Sequence, residues 1–308
     1  MSDRTARAPS PSDMSVVVPT RDRPDRLAAC LDALIALTSP PGEIIVIDSA
    51  SAAPTAVAAA VARGTRLVRC DRPGASRARN AGWQTATGSI VAFVDDDVRV
   101  EPEWAERLCA PFADAEVVLV TGGVVAGRPI DGVAGDLRPV AVTDDVARGA
   151  FDRTFRGNVG ASANLAVRRR TLEAVGGFDE LLGAGARFRA AEDIDLFDRA
   201  LAHGGGWHAN DAVGLHDPWR DRRALLRLEL AYGLGYGVRL SKVLRVDRRR
   251  GAALAGYELR RLGRDLVQDL RAAYALGVLS RLGWSAATLL GVARGLRTQV
   301  RHGHLARD

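Results

Sequence analysis

Cysteine is scarce in this 308-residue sequence, and long apolar runs are missing. The 3 cysteines, Cys30, Cys70 and Cys109, are odd in number and far apart, so they provide neither a disulfide framework nor the paired spacing of a zinc site. We expect them to be reduced core residues of a cytoplasmic protein. The most apolar late segment, residues 272–295, contains arginines and several glycines, which argues against a membrane-spanning helix.

Lysine is also nearly absent, since Lys242 is the only one and arginine supplies the other basic side chains. Residues 221–308 contain 18 basic and 7 acidic side chains, a net charge of +11, whereas the rest of the chain carries −5. Such a basic, helix-rich region is typical of contact with an anionic surface, which would make the protein peripheral at the inner face of a membrane. An Arg-rich solvated helix face explains the composition equally well.

The first 13 residues are polar and rich in Pro, Ser and Arg. They lack the apolar segment of a secretory signal. We therefore expect residues 1–13 to be disordered and the folded chain to begin near residue 14.

Short runs rich in valine and isoleucine alternate with helical patterns in the first hundred residues. Each run is bounded by Gly, Pro, Ser or Asp, as is typical of buried strands. The predicted strands are residues 15–19, 43–48, 66–70 and 89–95, and the helices between them are residues 24–37, 52–62 and 75–87. This alternation predicts an α/β fold with a mainly parallel sheet flanked by helices, whose functional side chains lie at the carboxyl ends of the strands.

The later part of the chain is less regular. We expect four further elements, namely strands at residues 117–121 and 161–167 and helices at residues 169–175 and 191–203. After Pro218 the sequence is mostly helical, but Gly233, Gly235 and Gly237 argue against a single long helix.

Three consecutive carboxylates, Asp95, Asp96 and Asp97, directly follow the fourth predicted strand. Like charges at this spacing raise each other's pKa unless a cation neutralises them. Oxygen ligands of this kind suit Mg²⁺ or Mn²⁺, which also accept water and phosphate oxygens. Taken alone, the triplet is equally typical of an acidic turn or a helix N-cap.

Residues 74–82 (GASRARNAG) open the helix before this triplet and place glycine, backbone amides and two guanidinium groups near a helix N-terminus. Such an end attracts anions. The segment matches neither the G-x-G-x-x-G dinucleotide fingerprint nor a P-loop, whose lysine is missing. A dehydrogenase or a P-loop NTPase is therefore disfavoured.

Several motifs, in order and spacing, resemble those of family 2 glycosyltransferases. The nucleotide-sugar-binding half of that family is matched by residues 16–21 (VVVPTR), 45–51 (IVIDSAS), 74–82 (GASRARNAG) and 91–97 (VAFVDDD). The later half is matched by residues 160–164 (GASAN), 175–180 (VGGFDE) and 191–196 (AEDIDL). The resemblance implies the GT-A fold, a Rossmann-like mainly parallel sheet, and a metal-dependent enzyme that transfers a sugar from a nucleotide sugar with inversion.

The resemblance also implies which residues form the donor site. Eight are expected to bind the nucleotide sugar, the first three at the nucleoside pocket: Pro19, Thr20, Arg21, Asp48, Arg77, Asn80, Asp95 and Asp96. Of these, Asp48 is expected to accept a hydrogen bond from the base, and Arg77 and Asn80 to lie near the ribose and phosphates. Asp95 and Asp97 take the positions of the family's DXD motif, with Asp97 ligating Mn²⁺ or Mg²⁺ directly and Asp95 in the ribose or metal shell.

Inversion requires a base on the face of the sugar opposite the leaving diphosphate, within reach of the acceptor hydroxyl. Asp193, at the predicted start of a helix, is the candidate, with Glu192 orienting it or contacting the acceptor. His216 is expected to complete the metal ligands through an imidazole nitrogen. Isolated Glu-Asp pairs are more often ordinary first turns, and lone histidines are more often structural.

Two departures from the family pattern affect specificity. The second strand ends in Asp48 and Ser49 where the family usually has two acidic residues, so base recognition differs. The Q-x-x-R-W signature of processive synthases is missing, which favours transfer of one or a few sugars. The expected donor is a UDP-, dTDP- or GDP-linked sugar, and the acceptor a glycan, a lipid-linked group or a small molecule; nucleic acid is not expected.

Two other hypotheses remain open from the sequence. A nucleotidyltransferase or metal-dependent phosphohydrolase also needs carboxylates at strand ends, but it does not need the later motifs. A non-enzymatic anionic-surface binding protein explains only residues 221–308. We expect a GT-A domain at residues 14–220, divided at residue 121 into donor and acceptor halves, followed by a basic helical extension.

Overall fold

The structure, a computed structural model, describes residues 7–61, 64–126, 147–150, 160–216, 222–271 and 275–306. In this part of the chain, a nine-stranded sheet lies between helices, and three long helices follow it. The predicted α/β fold class and its C-terminal helical extension are confirmed.

The first half of the sheet is parallel. Its strands are β1 (Met14–Thr20), β2 (Glu43–Ser49), β3 (Arg66–Cys70) and β4 (Ile90–Val94), and the helices that connect them are α1 (Pro24–Ile35), α2 (Pro54–Ala60) and α3 (Ala75–Thr85). The strand order is β3-β2-β1-β4. All residues of β1 and β4 are buried, as continuous apolar runs predict for strands covered on both faces. Cys30 and Cys109 are buried and Cys70 is half-buried, all three as free thiols.

The second half of the sheet is mixed. Its strands are β5 (Val98–Val100), β6 (Val117–Ala126), β7 (Ala147–Ala150), β8 (Asn164–Arg168) and β9 (Gly206–His216), and its helices are α4 (Trp104–Cys109), α5 (Arg169–Val175) and α6 (Glu192–His203). The order continues from β4 as β8-β6-β9-β5, with β7 also on β9. Strand β8 is antiparallel to both its neighbours, whereas β6 and β9 are parallel. The sequence analysis missed β9, because it contains few β-branched residues and buries only some of its positions.

Three helices complete the chain: α7 (Arg222–Val246), α8 (Arg248–Arg271) and α9 (Ala275–Arg297), followed by a short β10–β11 hairpin (Val300–Arg301 and His304–Leu305). The expectation that glycines would break the first of these helices was wrong, since α7 is continuous over 25 residues. A Cβ at Gly237 would overlap the carbonyl oxygen of Thr288, and one at Gly291 would overlap that of Leu234. These glycines let α7 and α9 approach closely, and that packing offsets their low helix propensity.

Buried ion pairs join the three helices to the sheet domain. Lys242 Nζ lies 2.8 Å from Asp179 Oδ2 and 2.5 Å from Asp195 Oδ1, and all three side chains are at most 4% exposed. Arg239 makes a similar buried pair with Asp198 of α6 at 2.6 Å. We call Lys242, Arg239 and their partners Asp179, Asp195 and Asp198 the junction cluster. Because an unpaired buried charge is costly, the junction cluster fixes the position of α7 against α6.

The N-terminal prediction needs a partial correction. Residues 11–13 form a 3-10 turn, and the Asp13 carboxylate accepts hydrogen bonds from Ser10 and from the Arg7 guanidinium at 2.8–2.9 Å. Residues 7–13 are therefore ordered, while residues 1–6 lie outside the described part of the chain. Among the helices in the ranges given above, none combines the length and apolar character needed to cross a bilayer.

Candidate active site

A cavity of about 920 Å³ lies at the carboxyl ends of β1 and β4. The start of α6 contributes Glu192 and Asp193 to its lining, and the loop after β4 contributes Asp95 and Asp97. Helices α7, α8 and α9 also contribute side chains to it. The two acidic groups that the sequence analysis placed in separate motifs therefore share one cavity.

Within the acidic triplet, Asp96 turns inward. Its side chain is fully buried, accepts a hydrogen bond from Thr20 Oγ1 at 2.6 Å and pairs with Arg23 at 2.6 Å. Burial raises the pKa of Asp96 to about 7, against the opposing influence of Arg23. Asp96 therefore anchors Thr20 and Arg23, which themselves line the cavity. Its expected contact with the nucleotide sugar stays a prediction.

Asp97 faces the cavity. Its Oδ2 atom lies 2.8 Å from Arg23 Nη1 and 3.6 Å from His216 Nε2. The antiparallel pairing of β5 with β9 places Val98 beside His216, which explains how a histidine more than a hundred residues later reaches Asp97. The predicted proximity of Asp97 and His216 is present in the structure.

Asp95 belongs to a chain of ion pairs that crosses the cavity. Arg79 Nη2 lies 2.6 Å from Asp95 Oδ1, and Arg79 Nη1 lies 3.2 Å from Glu192 Oε1. The Arg79 side chain is only 4% exposed and stacks over the Phe178 ring at 5.5 Å. One buried guanidinium thus connects the strand-end carboxylate to the carboxylate at the start of α6.

Two other residues of α3, Arg77 and Asn80, contact the loop before α6. Asn80 is buried and clamps Phe178, donating to its carbonyl at 2.9 Å and accepting from its backbone N–H at 2.8 Å. Arg77 pairs with Glu180 at 3.1 Å and donates to a backbone carbonyl. Both residues hold the loop before α6 in place, and their expected contacts with the ribose and phosphates stay predictions.

Helical spacing could have identified Arg79. A Cβ at Gly82 would overlap Val17 of β1, so Gly82 marks the face of α3 that packs on the sheet. Arg79 lies three residues earlier and shares that face, whereas Arg77 lies five residues earlier and does not. The signal that the sequence analysis missed is Gly82, the small residue that lets α3 pack closely on β1.

Of the residues expected to contact the nucleoside, three line the cavity and Asp48 does not. Pro19, Thr20 and Arg21 line the cavity. Asp48 is buried, accepts from the Ser51 backbone N–H at 2.9 Å and pairs with Arg69 at 2.5 Å. Its carboxylate is thus committed to the end of β2 and to β3, and its contact with a base stays a prediction.

The acidic pair at the start of α6 lies in a partly buried position. Asp193 Oδ1 accepts the backbone N–H of Ile194 at 2.7 Å. Burial raises the pKa of both carboxyl groups, with the Asp193 charge adding to the effect on Glu192. A carboxyl group whose pKa is raised to about 7, as that of Glu192 is, is suited to exchanging a proton near neutral pH.

The side chains that could ligate a metal in this cavity suit a hard divalent cation. Asp95, Asp97 and His216 supply two carboxylates and an imidazole to the cavity, a set that Mn²⁺ and Mg²⁺ accept. Within the described ranges, no three His, Cys, Asp or Glu side chains form a preassembled ligand group. Arg23 instead occupies one oxygen of Asp97 at 2.8 Å.

Comparison with known proteins gives a consistent picture. The family model described as Glycosyl transferase family 2 matches residues 15–161. Glycosyltransferase AglE of Haloferax volcanii is 29% identical over 250 residues, which cover 79% of this chain and 78% of that protein. The Pre-mycofactocin glycosyltransferase of Mycobacterium tuberculosis is 29% identical over 208 residues, and the match spans only 42% of that longer protein.

Solved structures share the fold at low sequence identity. The mannosyltransferase PcManGT from Pyrobaculum calidifontis, in complex with GDP-Man and Mn²⁺, has a TM-score of 0.61 and 19% identity, covering 92% of this chain and 89% of that one. S. aureus TarS 1-349 in complex with UDP-GlcNAc has a TM-score of 0.60 and 16% identity, covering 92% and 83%.

Proposed function

We propose that this glycosyltransferase of the GT-A fold is a member of glycosyl transferase family 2. We further propose that it transfers a sugar from a nucleotide-sugar donor to an acceptor hydroxyl with inversion and with the help of a divalent metal. One observation carries the proposal: Asp97 and Asp193 line the same cavity, and Arg79 links their neighbours Asp95 and Glu192 across it. The proposal requires that a single sugar contact both acidic groups within this cavity.

The metal-holding residues in this proposal are Asp97, Asp95 and His216. When bound, Mn²⁺ or Mg²⁺ would neutralise the negative charge that grows on the departing diphosphate. Arg23 is positioned to exchange partners, because it already contacts Asp97 and lines the cavity. Pro19, Thr20 and Arg21 would contact the nucleoside.

Asp193 is the proposed base and Glu192 its supporting residue. The Glu192 carboxylate is held by Arg79, so its position depends on the donor side of the cavity. Asp193 lies at the first turn of α6 and takes the proton of the acceptor hydroxyl as the new glycosidic bond forms. The proton acceptor and the departing diphosphate then lie on opposite sides of the sugar, as inversion requires.

The test combines donor binding with transfer. UDP-, GDP- and dTDP-sugars are screened by thermal shift with and without Mn²⁺, since a ligand of the folded state raises its stability. We expect one donor class to stabilise the protein in Mn²⁺, Asp97→Ala to lose that stabilisation, and Asp193→Asn to keep it while transfer falls by about 10²-fold or more. Asp71→Asn, at a side chain 93% exposed, is the matched control.

If the Asp193→Asn variant transfers sugar at the wild-type rate, Asp193 is not the base. Stabilisation by a nucleotide sugar that is unchanged by chelation of the metal and by Asp97→Ala would remove the proposed metal site.

We further propose that α8 and α9 bind an anionic membrane surface, which would make the enzyme peripheral at the cytoplasmic face. Leucines on these helices are more than half exposed: Leu259, Leu270, Leu279, Leu282, Leu289 and Leu296. Those of α9 recur at spacings that place them on one helix face. Exposed arginines accompany them on the same two helices: Arg260, Arg264, Arg271, Arg294 and Arg297. Leucine beside arginine on an exposed helix is typical of interfacial binding to anionic lipid.

Deleting α7 to α9 would not test membrane binding cleanly, because it removes cavity-lining side chains and the junction cluster as well. Instead, Leu279, Leu282 and Leu289 are changed together to Ser. We expect this variant to sediment at least about tenfold less with vesicles of phosphatidylcholine and phosphatidylglycerol. Ile35→Ser, at an exposed apolar position on α1, is the control and should bind normally. Equal sedimentation of the triple variant and the wild type would contradict the proposal.

A further inference from the structure

The cavity has a second wall that the nucleotide-binding motifs do not explain. Helices α7, α8 and α9 supply it, and we call it the helical wall, defined by Tyr236, Glu258, Arg261, Asp265, Arg281 and Trp284. These side chains come from the basic extension, which the sequence analysis treated as a surface-binding region. Their position in the same cavity as the acidic groups indicates a role in substrate binding.

The helical wall is organised around two aromatic rings. The Tyr236 and Trp284 ring centroids lie 5.4 Å apart with their planes at 42°. Tyr236 Oη donates to Glu258 Oε1 at 2.9 Å, and Arg261 Nε donates to Glu258 Oε2 at 2.9 Å while its guanidinium lies 5.3 Å from the Trp284 ring centroid. Trp284 is partly exposed and lines the cavity. The rings are thus held in place before any ligand arrives.

The charges of the helical wall disfavour an anionic ligand. Arg261 is paired with Glu258 at 2.8 Å, and Arg281 is paired with Asp265 at 2.9 Å and also with Asp269. Both guanidinium groups are therefore engaged by carboxylates. A phosphate or carboxylate ligand would have to displace these partners and would face like charge.

The same groups suit a neutral ligand rich in hydroxyls. Carboxylates and guanidinium groups offer acceptors and donors side by side, and a hydroxyl can use either. An aromatic face carries partial negative charge and attracts the slightly positive C–H face of a sugar ring. The cavity volume of about 920 Å³ lies near the upper end for ligand-binding sites.

We propose that the helical wall is the acceptor subsite and that it binds a neutral carbohydrate, with the sugar ring against Trp284 and its hydroxyls on Glu258 and Asp265. This inference rests on the proposed function and names its acceptor class. It also gives α7 to α9 a part in the reaction, because these helices then present the acceptor hydroxyl to Asp193.

The test measures acceptor binding separately from donor binding. Neutral methyl glycosides and disaccharides, sugar phosphates and glucuronides are each added to the protein with Mn²⁺ and nucleoside diphosphate, and binding is followed by saturation-transfer NMR. We expect at least one neutral glycoside to bind and the anionic sugars not to bind. Trp284→Ala should weaken that glycoside by about tenfold or more, and Trp284→Phe, which keeps an aromatic face, by much less.

The donor-induced thermal shift is recorded on the same variants and should be unchanged, which shows that they are folded. If no neutral glycoside binds, if anionic sugars bind better, or if Trp284→Ala leaves glycoside binding unchanged, the acceptor subsite is wrong. If the wild-type protein shows no donor-induced thermal shift, the proposed function is contradicted instead. The two failures are therefore distinguishable.

Discussion

The parallel half of the sheet and the C-terminal helices distribute charge in opposite ways. In β1 and β4 every residue is buried, and the charged side chains begin where the strands end. In α7 to α9, charged side chains such as Lys242 and Arg239 are buried while leucines are exposed. The first arrangement gathers charge at one edge of the sheet, where the cavity lies. The second uses buried charge to position helices whose outer faces expose leucine beside arginine.

Breaking the junction cluster is the largest test of this comparison. Lys242→Met leaves the buried carboxylates of Asp179 and Asp195 without their shared cation, so we expect the free energy of unfolding to fall by about 3–5 kcal/mol. Urea denaturation monitored by circular dichroism measures this loss. Arg264→Met, at an exposed position of the neighbouring helix, is the control and should change stability by less than about 0.5 kcal/mol. A similarly small change for Lys242→Met would show that other contacts, such as the close packing of α7 on α9, position α7.

Substitutions of two arginines of α3, Arg79 and Arg77, test the charged edge of the sheet. Arg79→Met removes the link between Asp95 and Glu192. Arg77→Met removes the pair with Glu180 and a hydrogen bond to the Pro73 carbonyl. We expect kcat to fall by about tenfold to a hundredfold for Arg79→Met, in line with displacement of a supporting group around the reacting centre. Arg77→Met should retain most of its activity. Steady-state transfer assays decide this, and equal losses would mean that both arginines serve only the loop before α6.

The smallest expected effect is a shift of the pH profile. Burial raises the pKa of Glu192 and Asp193, and a base acts only in its deprotonated form. Activity should therefore fall as the pH is lowered through a value above the ordinary carboxyl range of about 3.9–4.3. Because the positive charge of Arg79 lowers both pKa values, the acid limb of Arg79→Met should move to higher pH. An acid limb at or below pH 4 would contradict a buried carboxylate base.

Local patterns predicted the parallel half well for a physical reason. Runs of Val and Ile bounded by turn residues are enough to specify strands buried on both faces, so β1 to β4 and the position of the acidic triplet followed from the sequence. Which carboxylate of the triplet turns inward did not follow. Asp96 is buried because Thr20 and Arg23, more than seventy residues earlier, receive it.

Long-range packing explains the other differences. Strand β9 contains few strand-forming residues and exists because β6, β5 and β7 all pair with it. Helix α7 stays continuous through Gly233 and Gly237 because α9 fills the space that those glycines leave. In both places the stabilising partner is distant in the sequence, which no local pattern reports.

The location of Lys242 has a practical consequence. The only lysine of the chain is 4% exposed and lies between two carboxylates where α7 meets the sheet domain. An amine-reactive reagent can modify this side chain only when α7 moves away from the sheet domain. The rate of labelling at Lys242 therefore reports directly how often α7 to α9 detach from the sheet domain, and a bound ligand that contacts both the sheet domain and these helices should slow it.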